Sequence, residues 1–412
     1  MFIDDAVKAR LLRMPVGNRT DDVLYYLLAP HLLGFWTFLN PKHKGQELGD
    51  VIYIFGDVCL IFEAKARAKV GSADTRWIRE RLKEGAAQIC RNYQTLMSGA
   101  VPSLRNPWRG EVSWASLGVK HFLGIVVLMH DSEPYDPRDL EPSLFSSASI
   151  PLQVVSLNDL NELVKYMNTP WDFVVYWELR IVFGEEYELP VHREQSIYWG
   201  ILDEWVKLAK TQNSAFPDNK LEEDRQFHDA YTKVIMRSGN PEETIKRKAA
   251  ASYLIDIAAG SLMQKADQDA AGKRVGSKSH DTLVNAVAIL ADLSRRRRAE
   301  YGYLWLNCAK ECIASRKDIR KSSYSPSRNR SYFVQARLGQ DIEEETLLLA
   351  AAERLAEDKS TMSIGLSATA ENIIHTFESI LSSIDGTCFE EDLGKILNST
   401  AVLLDRTAMT PT

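Results

Sequence analysis

The chain of 412 residues is poor in cysteine, with five, and no two of them make a CxxC pair. Cys59, Cys90, Cys308, Cys312 and Cys388 are an odd set, so neither a disulfide framework nor a zinc site is indicated, and free thiols in apolar patterns pack as small hydrophobes. Also missing is any apolar stretch of membrane-spanning length, and the opening MFIDDAVKARLLRM carries acidic charges and no continuous apolar run, unlike a secretory leader. A cytoplasmic protein without a membrane segment is expected. No GxxxxGK(S/T) loop occurs, so an ATP-driven step would need another subunit, and no internal repeat at solenoid spacing is found.

What is present is ordinary globular material, 45% hydrophobic and 26% charged, enough for roughly two or three domains. The net charge of −6 argues against a surface that binds polyanions everywhere. The charge is unevenly spread, however: from Arg295 to Arg330 eleven Lys or Arg stand against three Asp or Glu, a local basic window.

The pattern divides near residue 190. Before it, helices are expected over 4–14 and 20–34, a pair of β-runs over 51–62, a helix over 75–97, and buried strands over 121–129 and 150–157. Beyond it the spacing is mainly helical, over 195–211, 221–237, 241–263, 280–300, 342–358 and 367–384, with 158–167 and 170–182 preceding. Polar interruptions at 264–280 and 320–330 read as loops. The expected architecture is an α/β domain, 1–190, with a mixed sheet flanked by helices, followed by a mainly α-helical region, 191–412, that binds nucleic acid or a partner.

Chemistry concentrates in GQELGDVIYIFGDVCLIFEAKAR, residues 45–67. In VIYIF-GD-VCLIF a Gly-Asp pair separates two β-prone runs, and Gly at the first central position suits a type II′ hairpin turn. With Gly56-Asp57 as the turn, Phe55 opposes Val58, Ile54 opposes Cys59, Ile52 opposes Ile61, and Asp50 opposes Glu63. The period of two puts Lys65 on the same face as Glu63. Both faces of the hairpin are apolar, so these strands are expected to be covered on both sides, with the acids at the margin of a core where an unpaired charge is costly.

Two hard oxygen ligands at one place suit Mg²⁺, which takes one or two carboxylates and completes its shell with water and substrate phosphate. Such an ion polarises a phosphoryl oxygen and acidifies water, and a neighbouring ammonium orients that water or offsets charge in the transition state. The same residues admit a structural account, with Asp50 capping the start of a strand and Glu63-Lys65 as an ion pair at a strand edge.

Asp50 followed by Glu63-Ala64-Lys65 resembles the motif of the PD-(D/E)XK superfamily, the restriction-endonuclease-like phosphodiesterases. The longer stretch LLGFWTFLNPKHKGQELGDVIYIFGDVCLIFEAK is similar to a group of bacterial proteins of that superfamily. The resemblance covers residues 20–97 best and extends toward NTPWDFVVYWELR. It implies metal-dependent hydrolysis of nucleic acid, DNA more than RNA, with Mg²⁺ or Mn²⁺, in endo or exo mode, and a role in bacterial defence or restriction. Asp50 and Glu63 would hold the metal, Lys65 would act at the nucleophile, and Gln88 in EGAAQICRNY would position water or substrate. The spacing from Gln88 to Tyr93 is one residue longer than the Gln-x-x-x-Tyr of the RecB-like branch. Glu47 is a further candidate ligand, and Asp21 or Asp22 stands where some members place an acid on the first helix.

Lys42 and Lys44 are candidates for touching the phosphate backbone, and His43 between them is more readily a solvated loop residue. His130-Asp131 ends a strand, a frequent functional position that a capped turn explains equally well. Arg295, Arg296, Arg297 and Arg298, with Arg320 and Arg328 and the interleaved Tyr301, Tyr303 and Trp305, are candidates for binding nucleic acid through phosphates and base stacking. The alternative is that the arginines end a helix while the aromatics pack inward. Trp171, Tyr176 and Trp177 are expected in the core. Beside the nuclease stand two other readings, a non-catalytic nucleic-acid-binding or protein-interaction scaffold on the same fold, and an interaction protein whose C-terminal helices build a homo-oligomer or hold a defence partner.

Overall fold

The computed structural model describes residues 22–25, 27–28, 36–67, 74–106, 109–130, 133–167, 169–201, 247–248, 250–259, 262, 286–287, 290, 293, 295–325, 330–338, 362–385 and 400–405. The chain divides into two compact units, Met1–Arg225 and Gln226–Thr412. The expected helices at 4–14, 221–237 and 342–358 and the loop at 264–280 lie outside the described residues.

In the first unit, after the described helical residues 22–25 and 27–28, come β1 (Thr37–Leu39), the short hairpin β2 (Lys42–His43) and β3 (Gln46–Glu47), and then β4 (Val51–Phe55) and β5 (Val58–Ala66). The β4–β5 pairing is the one the turn dictates, Phe55 with Val58, Ile54 with Cys59 and Ile52 with Ile61. Gly56 sits at φ 62°, while Asp57 does not take a positive φ, as a type II′ turn requires.

Helix α1 (Thr75–Met97) follows, capped by Asp74, whose side chain accepts from the Trp77 N–H at 2.7 Å. Next come β6 (Ser103–Asn106), β7 (Gly110–Ser113) and β8 (His121–Met129), the short helices α2 (Pro137–Leu140) and α3 (Pro142–Ser147), β9 (Leu152–Ser156), α4 (Leu157–Tyr166) and α5 (Pro170–Glu186). The main sheet runs β1-β4-β5-β8-β9. β1, β4 and β5 are antiparallel neighbours, whereas β5, β8 and β9 run parallel, so the sheet is mixed.

Both faces are covered, as the two apolar faces of the hairpin require. On one side α1 lays Ile78, Leu82, Ala86, Ile89 and Leu96 against Ile52, Ile54, Cys59, Ile61, Val126 and Leu128. Each such Ile or Leu contributes about 1.5–3 kcal/mol on leaving water. Gly124 lets the helix come close: a Cβ there would lie 2.5 Å from Ile89 Cγ2. On the other side the Tyr53 ring meets Phe173 of α5 edge to face at 5.7 Å, and Phe173 meets Trp177 at 5.9 Å.

α5 is capped by Thr169, whose hydroxyl accepts from the Asp172 N–H and donates to the Asp172 carboxylate. Arg180 of this helix is wholly buried and bonded to Glu194, Gln153 and the Val154 carbonyl. Burial works against its charge, yet Glu194 and Tyr176 hold its pKa above the ordinary arginine value. Trp177 and Tyr176 are core residues as expected, while Trp171 remains partly exposed.

In the second unit, α6 (Arg295–Ser315) leads into β10 (Ile319–Ser325) and β11 (Arg330–Arg337), then β12 (Met362–Thr369), α7 (Ala370–Asp385) and β13 (Thr400–Asp405). These strands form a four-stranded sheet in the order β10-β11-β12-β13, with β11 and β12 parallel. The second half, expected to be mainly α-helical, thus also holds a sheet, and the loop expected at 320–330 is in part strand, β10 and the first residue of β11. β10 carries the polar sequence IRKSSYS because it lies at a sheet edge, where charged side chains are tolerated and no apolar alternation is needed. Trp305 Nε1 of α6 donates to the Gln335 carbonyl at 3.0 Å and ties the helix to β11. No helix among the described residues is long and apolar enough to cross a membrane.

Candidate active site

The residues of the motif gather at the carboxyl end of β5, next to the carboxyl ends of β8 and β9, which is where open α/β sheets place ligands. Gly49 turns the chain into β4 with φ 145°, and a Cβ on it would lie 3.3 Å from Ile61 Cγ2, so this corner favours glycine. Asp50 follows at once. Its N–H bonds to the Phe62 carbonyl at 3.1 Å, and its Oδ2 accepts from the Ala64 N–H at 2.7 Å.

The regular ladder stops at Val51 opposite Phe62, so the direct opposition of Asp50 and Glu63 expected from the turn is not made. The Asp50 carboxylate instead caps the β5 edge at the peptide joining Glu63 to Ala64.

Glu63 and Lys65 are 3% and 8% exposed. Lys65 Nζ lies 3.3 Å from Glu63 Oε2, and the Asn92 amide of α1 donates to Glu63 Oε1 at 2.9 Å. Two buried charges are thus paired and hydrogen-bonded, as burial requires. Asn92 was not among the residues singled out from sequence. Its signal is a polar residue on the buried stripe of an amphipathic helix, fifteen positions after Trp77, with Gly85 and Gln88 between.

That stripe aligns α1 antiparallel to β8. Trp77 meets the His130 ring edge to face at 5.5 Å, a Cβ on Gly85 would touch Val126 and Lys65 Cε, and Ile89 closes on Gly124. Gln88 stands three residues after Gly85 and four before Asn92, which places it on the helix face over Lys65 and Glu63. Its Oε1 is buried and has no hydrogen-bond partner among the described residues. Tyr93 joins the core instead, its ring 5.0 Å from Phe122.

Glu47 forms an exposed cross-strand pair with Lys42, 3.2 Å, in the β2–β3 hairpin, and Lys44 sits in the turn with φ 50°. Asp22 is described within a helical stretch, whereas Asp21 lies outside the described residues. His130 Nε2 lies 3.1 Å from the Tyr135 hydroxyl, and the His192 ring meets His130 at 5.5 Å. Burial, then the Asp159 carboxylate, pushes the Tyr135 phenol up. This aromatic cluster extends the same sheet edge beyond Lys65; Asp131 lies outside the described residues.

The basic window is largely consumed internally. Arg298 is 1% exposed, bonded to the Leu293 carbonyl at 3.1 Å and paired with Asp256, so it is not available to a phosphate. Arg296 is also buried and pairs with Glu300, as does the half-exposed Arg297. Tyr301 and Trp305 are buried rather than free to stack on bases. The four arginines open α6 rather than ending a helix, so the helix dipole does not explain them. Arg320 is exposed on β10, Arg295 opens α6, and Arg328 lies outside the described residues.

Among the described residues no group of three or more His, Cys, Asp or Glu is placed to hold a metal ion. A cation at this site would rest on two carboxylates. No protein-family model, curated protein or solved structure matches the chain.

Proposed function

We propose that the chain is a metal-dependent nuclease with a restriction-endonuclease-like first domain, hydrolysing phosphodiester bonds in DNA, with bacterial defence or restriction as the setting. The observation that carries this reading is the convergence of the Asp50 carboxylate, the buried Glu63 carboxylate and the Lys65 ammonium on the Glu63-Ala64-Lys65 segment, at a carboxyl-end sheet edge.

The donor set fits Mg²⁺ or Mn²⁺. Both acids are hard oxygen ligands, and a carboxylate offers about four lone-pair sites, so the bonds to Ala64, Asn92 and Lys65 do not exhaust them. Asp50 and Glu63 would hold the ion, which when bound supplies Lewis-acid polarisation and neutralises phosphate charge. Lys65 then orients the attacking water and offsets charge in the transition state. Gln88 Oε1 accepts a hydrogen bond from that water or from the substrate. α1 shields the site from bulk solvent, which strengthens each of these interactions. Lys42 and Lys44 steer the backbone from the β2–β3 hairpin, whereas the Glu47 contact with Lys42 favours a role in shaping that hairpin over metal ligation.

A second reading is favoured by the same contacts: Asp50 as a cap on Ala64, and Glu63 as a buried ion held by Lys65 and Asn92, in a scaffold that binds nucleic acid or protein without cleaving. Incubation of purified protein with plasmid and single-stranded DNA, in Mg²⁺, Mn²⁺ or EDTA, separates the two. Cleavage that needs metal and is lost in folded Lys65→Ala supports the nuclease, and salt-sensitive binding without cleavage in any metal supports the scaffold.

A further inference from the structure

The stripe of α1 that covers Lys65 and Glu63 carries one more chemical group. Arg81 stands four residues after Trp77, whose ring packs on His130, and four before Gly85, which lies against Lys65 Cε. Helical spacing therefore places Arg81 over the row between His130 and Lys65. The β5–β8 ladder ends with Ala66 opposite Met129, and just past it the Arg67 N–H reaches the Met129 carbonyl at 3.4 Å. With strands about 4.8 Å apart and about 3.3 Å of rise per residue, the Cα atoms of Lys65 and His130 are roughly 8 Å apart.

Arg81 Nε is buried and has no hydrogen-bond partner among the described residues, although its Nη1 pairs with Glu84. A buried donor without an acceptor is costly, and such groups in native structures call for an explanation. The edge of a guanidinium formed by Nε and Nη2 presents two parallel N–H groups, the geometry that engages a phosphate with two bonds.

We propose that Arg81 binds a backbone phosphate of the nucleic acid beside Lys65 and positions the strand across the carboxylates. This rests on the nuclease reading for its substrate class, and its test is a binding measurement independent of cleavage. Glu84 holds the guanidinium through Nη1, and its carboxylate repels a phosphate brought beside it, so its removal strengthens the phosphate contact.

Affinity for a fluorescein-labelled DNA duplex is measured by anisotropy in EDTA over a salt series, for the wild type, Arg81→Met, Glu84→Gln and the double variant, with thermal melts alongside. Arg81→Met keeps the apolar stem and is expected to bind about tenfold more weakly. The slope of log K against log salt becomes shallower by about 0.9, the loss of one phosphate contact. Glu84→Gln binds more tightly when Arg81 is present and not in the Arg81→Met background, a dependence that loss of one surface charge alone does not produce.

The proposal is overturned by an Arg81→Met protein that melts like the wild type and binds with unchanged affinity and slope. It is also overturned if both single variants lose affinity in proportion to lost stability. A wild type that cleaves DNA while Arg81→Met binds normally sinks this inference alone. A wild type that neither binds nor cleaves sinks the nuclease reading and the proposal with it.

Discussion

Asn92 of α1 donates its side-chain amide to Glu63 Oε1 at 2.9 Å, and so fixes from the helix a carboxylate that Lys65 holds on its other oxygen. Asn92→Leu keeps the branched side-chain skeleton and leaves the buried oxygen without this donor. The expected cost is about 1–3 kcal/mol, read from the midpoint of urea unfolding. On the proposed nuclease reading cleavage falls as well, because one of the two groups that orient the Glu63 carboxylate is gone.

Arg180 presents the opposite case, a buried ion whose removal strands another. Arg180→Met leaves Glu194, 2% exposed, without its guanidinium, at an expected cost of about 3–5 kcal/mol at neutral pH. Urea unfolding of the variant beside the wild type measures this loss, and an unchanged midpoint would contradict it.

The arginine run separates into structural and surface members. Arg298→Met breaks the pair with Asp256, which is 20% exposed, and is expected to cost about 2 kcal/mol or more in the second unit. Arg297→Ala, whose pair with Glu300 lies at the surface, changes stability by less than about 0.5–1 kcal/mol. Chemical denaturation of the two variants distinguishes them, and equal losses would contradict this division.

Gly302 lets α6 approach the helical segment around Ala251 so closely that a Cβ would overlap the Ala251 carbonyl oxygen. Gly302→Ala gains about 1 kcal/mol in helix propensity, yet a backbone atom cannot swing aside, and the two segments must part. Net destabilisation is expected, and a melting temperature equal to that of the wild type would show that the approach is looser.

The elements legible in the sequence are those whose neighbours are close in the chain or whose pattern is strong. VIYIF-GD-VCLIF dictates its own register, and the described ladder follows it pair by pair. The α1 stripe and the apolar HFLGIVVLM strand end where their periodicity ends. The last step of the hairpin was not legible, because Gly49 bends the chain and the Asp50 carboxylate takes the Ala64 N–H in place of the ladder. Asn92 was hidden for a different reason: its partner is 29 residues away, and nothing local marks the contact.

The second sheet was missed because β10 is polar at an edge and β12, MSIGLSAT, is rich in small residues. Neither pattern outweighs the helical spacing of its surroundings until the partner strands are known. In RRRRAEYGYLW the residue types suggested a nucleic-acid face, yet most of those side chains are turned inward by the packing of α6.

The Asp50→Asn variant tests the central claim most directly. An asparagine oxygen still accepts the Ala64 N–H, so the cap survives, while the charge that a divalent cation needs is removed. The measurement is the single-turnover rate of DNA cleavage in Mg²⁺ for Asp50→Asn and the wild type, with melting temperatures recorded on the same preparations. The account predicts an unchanged melting temperature and a rate reduced by at least about 100-fold. Asp50→Asn protein that cleaves at the wild-type rate would contradict it and leave Asp50 as a cap alone.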